Sequence, residues 1–507
     1  MSSSQRWTLL AVCLGTFMLL LDITIVNVAL PDIQRDLGSD FTDLQWVIDA
    51  YALTLAAMLL TGGSVADLVG RRRVFAAGVA LFTLASVLCG LATSPLFLNL
   101  ARGVQGVGGA LMFATALALL AQAFHGRERG AAFGVWGATT GAAVAIGPLV
   151  GGALTEGLGW EWIFFVNVPV GLFTLAVAAL RLEESRDPAG TRIDWPGVVT
   201  FTGALFLLVL ALIEGNEAGW GSARILALLG GSAILLLAFG ARELTAEHPM
   251  LDLRLFRNRA FTGASTTAFV LSAAMFSMFL YIVLYLQNVL GYSPLEAGLR
   301  FLPLSLLSFL VAPIAGRLTA RLPLRAFMGT GLVLVAVGLL LMHGLEPGSD
   351  WTALLAGFLV AGAGIGMVNP PLASAAVGVV APERSGAASG INSTFRQVGI
   401  ATGIAGLGAV FQGRVETKLN DALASVGGVA PGRARELAAS VASGGQGGGE
   451  GTGAASQAIA RATREAFVDG LNELFLIGAV VALIGAVLAF ALVRTSDFVT
   501  PPGEARA

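Results

Sequence analysis

GGSVADLVGRRR, residues 62–73, is a short polar loop between two long apolar runs of a 507-residue chain. Gly63 and Gly70 relieve crowding of the backbone. Asp67 and the arginines at 71–73 supply both partners of an ion pair. Such a loop is typical of a latch that holds one conformation of a protein whose halves move against each other. The alternative is that the arginines only mark the cytoplasmic side of a membrane, which leaves the spacing of Gly, Asp and Gly unexplained.

The composition assigns the chain to a bilayer. Hydrophobic residues make up 56% of it, charged residues make up 12%, and the mean hydropathy is +0.80. So little polar surface cannot cover a water-soluble globule. The apolar runs reach about 20 residues, the length of a membrane helix, so we predict an all-α membrane protein. Lys418 is the one lysine and does not follow a GxxxxG pattern, which excludes a phosphate-binding loop of the GxxxxGK type.

Fourteen candidate spans follow from the apolar runs. They begin near residues 7, 44, 74, 95, 131, 160, 195, 224, 260, 295, 326, 351, 386 and 467. With both termini in the cytoplasm, 19 of the 30 basic residues fall in inside segments and two, Arg35 and Arg224, fall in short outside loops. The bias towards Arg, Ala and Gly fits a GC-rich bacterial genome. We therefore predict a multi-pass protein of the bacterial cytoplasmic membrane.

A faint internal repeat divides the chain. AGRLTARLPLRAF, residues 315–327, follows span 10 as the polar loop 62–73 follows span 2. Repeats of this kind are the architecture of secondary transporters, with the substrate site between the halves. We predict a six-helix bundle at 1–194, two additional membrane helices and a cytoplasmic linker at 195–259, and a second six-helix bundle at 260–507. The second bundle is expected to contain a long, flexible extracytoplasmic loop at 412–466, which includes GGQGGGEGTG.

Charged residues inside the spans are the candidate site. Arg102 lies in LARGVQGVGGALMF of span 4, and a buried arginine costs about 2.5–3.5 kcal/mol on insertion scales, so it should face protein, water or an acid. Asp22 of span 1 and Asp49 of span 2 are the carboxylates that fall clearly within apolar runs. Burial favours the protonated acid and a nearby cation favours the charged one, an opposition suited to exchanging a proton for a cation. The alternatives are an arginine bonded to carbonyls and an Asp22 that only joins neighbouring helices.

Other residues extend the candidate site. Gln45 and Trp46 share a helix face with Asp49 and could line a cavity with it. From the second half, a set of polar side chains could complete that cavity or serve only as hydrogen-bond partners between helices. This set comprises Tyr281, Tyr285, Gln287, Asn369, Asn392, Arg396 and Gln397.

Span 5, GVWGATTGAAVAIGPLVGGAL, carries ridges of small residues. The ridges include Gly141, Gly147, Gly151 and Gly152, and Pro148 interrupts the helical hydrogen bonds. Small residues let helices approach closely, and the proline permits a bend. Ordinary tight packing would explain each glycine separately.

Together these motifs resemble the major facilitator superfamily. Its signature loop is matched at Gly63, Ala66, Asp67, Gly70, Arg71 and Arg73. Span 4 resembles the arginine motif associated with proton coupling, and span 5 resembles the motif associated with antiporters. LDITIVNVALPDI, WEWIFFVNVPVG and LRLFRNRAF are similar to the fourteen-span drug/proton antiporters. The chain departs from the pattern at Glu161, at Ala320 and Pro323 of the second loop, and in span 10, where an expected acid is not evident.

This resemblance implies the major facilitator fold, two six-helix bundles plus two inserted membrane helices. It implies a proton-coupled antiporter that exports lipophilic, cationic drugs or antiseptics by alternating access. Protons, a lipophilic small molecule and membrane lipids are the expected partners of a monomer, with no nucleic acid, no metal and no cofactor beyond the proton gradient. Alternatives are a dedicated exporter of one natural product or lipid, a membrane enzyme and a channel. We expect no enzymatic activity, because the one long loop is rich in Gly and lacks His.

The resemblance also assigns roles to residues. Asp22, Asp49 and Arg102 would couple protons, and Gly63, Asp67, Gly70, Arg71 and Arg73 would form the latch. Gly141, Gly147, Pro148, Gly151 and Gly152 would form the antiporter motif. Substrate would be bound by Asp22, Asp49, Gln45, Trp46, Tyr281, Tyr285, Asn369 and Asn392. Whether Asp22 or Asp49 contacts the substrate stays open.

Overall fold

A computed structural model of the chain describes residues 1–38, 41–186, 194–246, 253–319, 321–380, 385–426 and 454–494. All regular structure in these ranges is helical. The first half contains α1 (Ser3–Leu37), α2 (Phe41–Val69), α3 (Arg71–Gly90), α4 (Pro95–Ala123), α5 (Gly126–Leu158), α6 (Trp162–Phe165) and α7 (Asn167–Arg181). An additional pair follows, α8 (Trp195–Ala218) and α9 (Ala223–Thr245).

The second half contains α10 (Arg259–Leu284), α11 (Pro294–Leu318), α12 (Leu324–Met342), α13 (Leu355–Gly378), α14 (Ser385–Val426) and α15 (Ala454–Leu492). Short 3-10 helices at Leu253–Arg257 and Trp351–Leu354 precede α10 and α13, and a π-helical turn at Tyr285–Val289 extends α10. Because α6 and α7 share the sixth apolar run, α8 corresponds to the seventh span and α15 to the fourteenth.

Thirteen helices within the described ranges are long and apolar enough to cross a membrane. The remaining predicted span is α5, a continuous helix of 33 residues that contains the shorter apolar stretch Leu149–Leu158. The prediction of an all-α membrane protein is therefore confirmed.

Local sequence sets several helix ends. Ser2 and Gln5 form a capping box at the start of α1, and Ser293 and Glu296 form another at the start of α11. At the far end of α1 the backbone turns left-handed at Gly38, with φ 61°, a conformation that glycine adopts without steric cost. At these ends the backbone groups that the helix leaves unpaired thus have a partner.

Each half has its own apolar core. In the first half, Leu19, Phe82 and Phe133 are buried in one cluster that joins α1–α5 and α7. In the second half, Phe358 and Phe475 are buried in a cluster that joins α10–α15. Ala373 and Val377 of α13 belong to the first cluster as well, so the core of the first half continues into the contact between the halves.

Glycines permit the closest approach between the halves, where α5 crosses α11 and α2 crosses α14. A Cβ atom at Gly134 would lie 2.8 Å from Pro313 Cα, and one at Gly390 would lie 2.9 Å from the carbonyl oxygen of Leu59. Gly130 and Gly316 face each other's backbone in the same way. These contacts lie where α2 ends and α5 begins, which we call the latch end of the bundle. The two halves are closed against each other there.

The additional pair lies over one junction of the halves. Helix α8 contacts both α2 and α14. Val209 of α8 is buried with Leu53 and Ala56 of α2, and the hydroxyls of Thr61 and Thr202 are 2.9 Å apart. Helix α9 packs on α8 and leaves an apolar face exposed, with side chains such as Ile234 and Leu237, as expected for a face turned to lipid.

The predicted loop 412–466 is helical wherever the structure describes it. Helix α14 continues to Val426 and α15 begins at Ala454. Ion pairs join these extensions, Arg414 Nε to Glu473 at 3.0 Å and Lys418 Nζ to Asp469 at 2.7 Å. The described flanks of this segment are therefore helical and not flexible loop, because they carry helix-favouring Ala, Arg and Glu. The segment GGQGGGEGTG lies outside the described residues.

We predict that Gly134→Val destabilises the contact between α5 and α11. The added side chain would meet the backbone of Pro313, and overpacking of this kind costs about 1–3 kcal/mol. The matched control is Gly406→Val in α14, where nothing lies within 4 Å of an added Cβ. Thermal unfolding of both purified variants in detergent checks the prediction. Equal unfolding temperatures would show that the close approach is not a feature of the folded protein.

Candidate functional site

The carboxylate of Asp22 is fully buried and has three donors. Arg102 Nη1 lies 2.5 Å from Oδ2, while Gln105 Nε2 and Asn167 Nδ2 donate to Oδ1 at 2.9 and 3.0 Å. The exposed fraction is 0% for Asp22 and 1% for Arg102. The donors come from α4 and α7, so a single carboxylate of α1 connects three helices.

Arg102 extends this network to α2. Its Nε donates to the carbonyl oxygen of Val47 at 2.9 Å, and its guanidinium lies 4.3 Å from the centre of the Tyr51 ring. Nη1 also donates to Gln105 Oε1 at 2.6 Å. The ring face attracts the cation. Arg102 thus faces an acid and a carbonyl together, the two possibilities that the sequence had left as alternatives.

Ser86 of α3 completes the cluster. Its Oγ accepts from Gln105 Nε2 at 2.8 Å and from Asn167 Nδ2 at 3.4 Å. Sequence reasoning did not assign a role to Ser86, Asn167 or Tyr51. The available signal for Asn167 was an amide inside an apolar run, since a buried polar side chain requires a partner. We call Asp22, Arg102, Gln105, Asn167 and Ser86 the buried network.

Asp49 points away from the buried network. The ring of Tyr51 lies against Arg102, and two residues along a helix rotate the side chain by about 200°, so Asp49 lies on the opposite face of α2. Leu53 shares the Asp49 face and packs against Val209 of α8, with Trp46 alongside. Asp49 is half-buried. The structure therefore does not bring the two predicted acids together, and the side chain of Gln45 lies outside the described part.

The latch residues do meet, and they join the two halves. Asp67 Oδ1 accepts from Arg71 Nε and Nη2 at 2.9 and 2.8 Å, and both side chains are buried. Asp67 Oδ2 accepts from the backbone N–H of Ala387 in the first turn of α14, at 2.8 Å. The carboxylate is thus a link from the first half to a helix N-terminus of the second, where negative charge is favoured.

The arginines after Asp67 are held from a second direction. Glu184, which follows α7, accepts from the backbone N–H of Arg72 at 3.1 Å and lies 3.6 Å from Arg73 Nε. Gly70 has φ 122°, and a Cβ there would lie 2.6 Å from the Glu184 carboxylate. Glycine is required at this position by both conformation and space. Gly63 is buried within α2, which continues to Val69, so the polar loop predicted at 62–73 is reduced to a turn at Gly70 between two helices.

The antiporter-like glycines of α5 face two neighbours. Gly141 lies towards α11, with Ser308 Oγ 3.5 Å from an added Cβ. Gly152 lies towards Leu295, which also belongs to α11. Gly147 instead packs directly on Thr24 of α1. Gly151 is buried. The side chain of Pro148 lies outside the described residues, so the predicted bend is not tested.

A cavity of about 40 Å³ lies between the halves. It is lined by Thr140, Gly141, Leu271, Met275, Phe279, Leu304, Ser305, Ser308, Ile365, Asn369 and Arg396. This volume holds a water molecule or two, so a drug-sized compound would require the halves to separate. Asn369, a predicted substrate residue, lines the cavity.

The other predicted substrate residues of the second half lie elsewhere. Tyr281 packs against Phe411 with ring centres 4.7 Å apart and ring planes tilted by 37°, and the Tyr285 hydroxyl donates to the carbonyl of Ser349 at 3.2 Å. Both tyrosines belong to the core of the second half. Asn392 is buried in α14 and does not line the cavity in the described part of the chain. The described residues contain no group of three His, Cys, Asp or Glu that could hold a metal.

Comparisons with known proteins identify the family. A model of the Major Facilitator Superfamily matches residues 12–404. The chain is 37% identical over 411 residues to the multidrug resistance protein Stp of Mycobacterium tuberculosis, covering 81% of this chain and 76% of that protein. It is 38% identical over 421 residues to the puromycin resistance protein pur8 of Streptomyces alboniger, covering 82% and 83%.

A third relative matches almost the whole chain. The tetracenomycin C resistance and export protein of Streptomyces glaucescens is 33% identical over 486 residues, covering 95% of this chain and 90% of that protein. The human organic anion transporter MFSD10 (TETRAN) has a similar structure, with a TM-score of 0.64 over 96% of this chain and all of that chain. At 14% identity this likeness shows the fold alone. The described fold and the match over most of the chain show that the protein belongs to the Major Facilitator Superfamily and is a transporter, not an enzyme.

Proposed function

We propose that the protein exports lipophilic small molecules across the bacterial cytoplasmic membrane in exchange for protons, by alternating access between its halves. The observation that carries the proposal is the buried pair of Asp22 and Arg102, an acid and a base held inside one half. Buried ionisable groups in membrane helices mark proton and substrate pathways. Relatives named for multidrug and antibiotic resistance support export as the direction.

Protonation of Asp22 is the proposed coupling step. A proton on Oδ2 removes the negative charge that faces Arg102 Nη1 at 2.5 Å, and a buried cation without its anion is costly. The network must then rearrange among α1, α4 and α7. Arg102 also holds the backbone of α2 through Val47, and α2 continues to Asp67. Helix α2 is therefore the proposed connection between the proton site and the latch.

The latch is the proposed gate. Asp67 binds the backbone of α14 while Arg71 neutralises its charge, so the latch end stays closed as long as these bonds hold. The positive-inside rule assigns the latch end, with its arginines, to the cytoplasm. The described conformation would then be closed to the cytoplasm, with both termini on that side. The proposal needs no cofactor besides the proton gradient, and we propose that the unit is a monomer.

The cationic preference predicted from sequence rests on Asp22 and Asp49. Neither acid is among the residues that line the described cavity. Asp22 would become available to a cation only when the buried network opens. A dedicated exporter of one natural product is a second candidate function, favoured by the match over 95% of this chain to a tetracenomycin C resistance and export protein.

We predict that Asp22→Asn loses proton-driven export, because asparagine keeps the shape of the side chain but cannot take up and release the proton. In proteoliposomes with an imposed pH gradient, transport of ethidium or fluorescein, whichever the wild type exports, should fall at least about tenfold, which corresponds to a loss of about 1.4 kcal/mol. Asp22→Glu restores the acid and should recover part of the rate. The control is Asp421→Asn at an exposed position of α14. A transport rate of Asp22→Asn equal to that of the wild type would contradict the coupling step.

We also predict that Asp67→Asn opens the latch end. The change removes the charge that pairs with Arg71 and weakens the bond to Ala387 N–H, because charge-assisted hydrogen bonds are about twice as strong as neutral ones. Spin labels at the exposed positions Leu180 and Leu322, in a background with Cys13→Ala and Cys89→Ala, report the separation of the halves. Electron–electron resonance should show a larger population at long distance. Asp421→Asn is again the control, and an unchanged distance distribution would refute the gate.

A further inference from the structure

Arg396 of α14 is a buried cation without an acidic partner. Its exposed fraction is 7%, and its hydrogen bond runs from Nη1 to the amide oxygen of Asn369 at 3.2 Å. No Asp or Glu within the described ranges lies at ion-pair distance from it. Arg102 by comparison has Asp22 at 2.5 Å and the Tyr51 ring besides. The protein thus supplies a counter-charge to Arg102, whereas Arg396 has a neutral amide as its partner.

The position of Arg396 explains what could supply the missing charge. It lines the cavity between the halves, beside the hydroxyl-bearing Ser305 and Ser308 and among apolar side chains such as Leu271 and Phe279. No carboxylate belongs to the lining of this cavity. A buried guanidinium without an anion is costly, and an apolar wall makes each charge interaction stronger than in water. The site is arranged for an anionic group attached to an apolar body.

A second donor lies one helical turn away. Asn392 precedes Arg396 by four residues on the same face of α14 and is 1% exposed. Its Nδ2 has no hydrogen-bond partner among the described residues. A buried amide donor normally has a partner. This atom is therefore a second donor on the same helix face that lacks an acceptor among the described residues.

We propose that Arg396 binds the carboxylate or phenolate of an exported amphipathic compound, with Asn369 holding the guanidinium in place and Asn392 donating as the halves separate. The inference rests on the proposed export function and names its substrate class as lipophilic organic anions. The planar guanidinium presents paired N–H donors that match a carboxylate, which a lysine cannot reproduce. Arg396 thus differs in purpose from Arg102, whose donors are occupied by the protein itself.

Two dyes with one ring system but opposite charge test this inference. Fluorescein is an anionic xanthene and rhodamine 123 is a cationic one. Equilibrium binding of each dye is measured on the purified full-length wild type, Arg396→Gln and Arg396→Lys. The matched control is Arg461→Gln, at an exposed arginine of α15 that pairs with Glu465. Size-exclusion profiles and unfolding temperatures establish that each variant is folded.

We expect the wild type to bind fluorescein and Arg396→Gln to bind it at least about tenfold more weakly, the loss typical of a removed charge-assisted contact. Arg396→Lys should lie between them. Affinity for rhodamine 123 should stay within twofold or rise, because a repelling cation has been removed. Absence of fluorescein binding by the wild type, or an equal loss of both dyes in Arg396→Gln, would overturn the assignment.

Export of the same dyes in proteoliposomes with an imposed pH gradient separates this inference from the proposed function. If the binding difference appears but the gradient drives neither dye, proton coupling is refuted and the anion site stands. If both dyes are exported and Arg396→Gln slows them equally, export stands and the anion site is refuted.

Discussion

The ion pair between Asp22 and Arg102 is the interaction on which the first half depends. Both side chains are buried in the membrane interior, where an unpaired charge is far less stable than in water. Pairing them requires α1 and α4 to lie side by side, and the amide of Asn167 adds α7 to the same oxygen. The carbonyl of Val47 attaches α2. The packing of these four helices is therefore tied to one electrostatic requirement.

The second half does not repeat this solution. It has the same kind of apolar core. Its buried arginine, Arg396, lies on α14 at the cavity between the halves and not inside one bundle. The latch differs in the same sense. Asp67 and Arg71 belong to the first half. In the second half Ala320 replaces the acid and Pro323 replaces the second glycine, and Ala320 lies outside the described residues. The two halves are similar in fold and unequal in charge, so one carries the paired network and the other presents an unpaired cation to the cavity.

Sequence alone predicted the features that depend on local spacing. The helical runs, the pairing of Asp67 with the arginines that follow it and the need of Arg102 for an acid follow from neighbours along the chain. Helical periodicity also placed Asp49 with Trp46 and Leu53, but it could not show that this face meets α8. The assignment of Tyr281 and Tyr285 to a cavity was open for the same reason, since either face of a membrane helix can carry a tyrosine. The unpaired state of Arg396 is a property of all its neighbours in space, which no single stretch of sequence contains.

The position of α8 across α2 and α14 makes the two sides of the transporter unequal towards the lipid. One junction between the halves is covered by α8, with α9 outside it, while the other junction, where α5 meets α11 and α13, has no such additional helix over it among the described residues. On the first side, a compound dissolved in the bilayer meets α8 and α9 before it reaches the contact between α2 and α14. On the second side it meets α5 and α11 directly, with glycines such as Gly130 and Gly316 at their closest approach. Within the described residues, the layer of helices between lipid and the contact of the halves is therefore thicker on the first side than on the second.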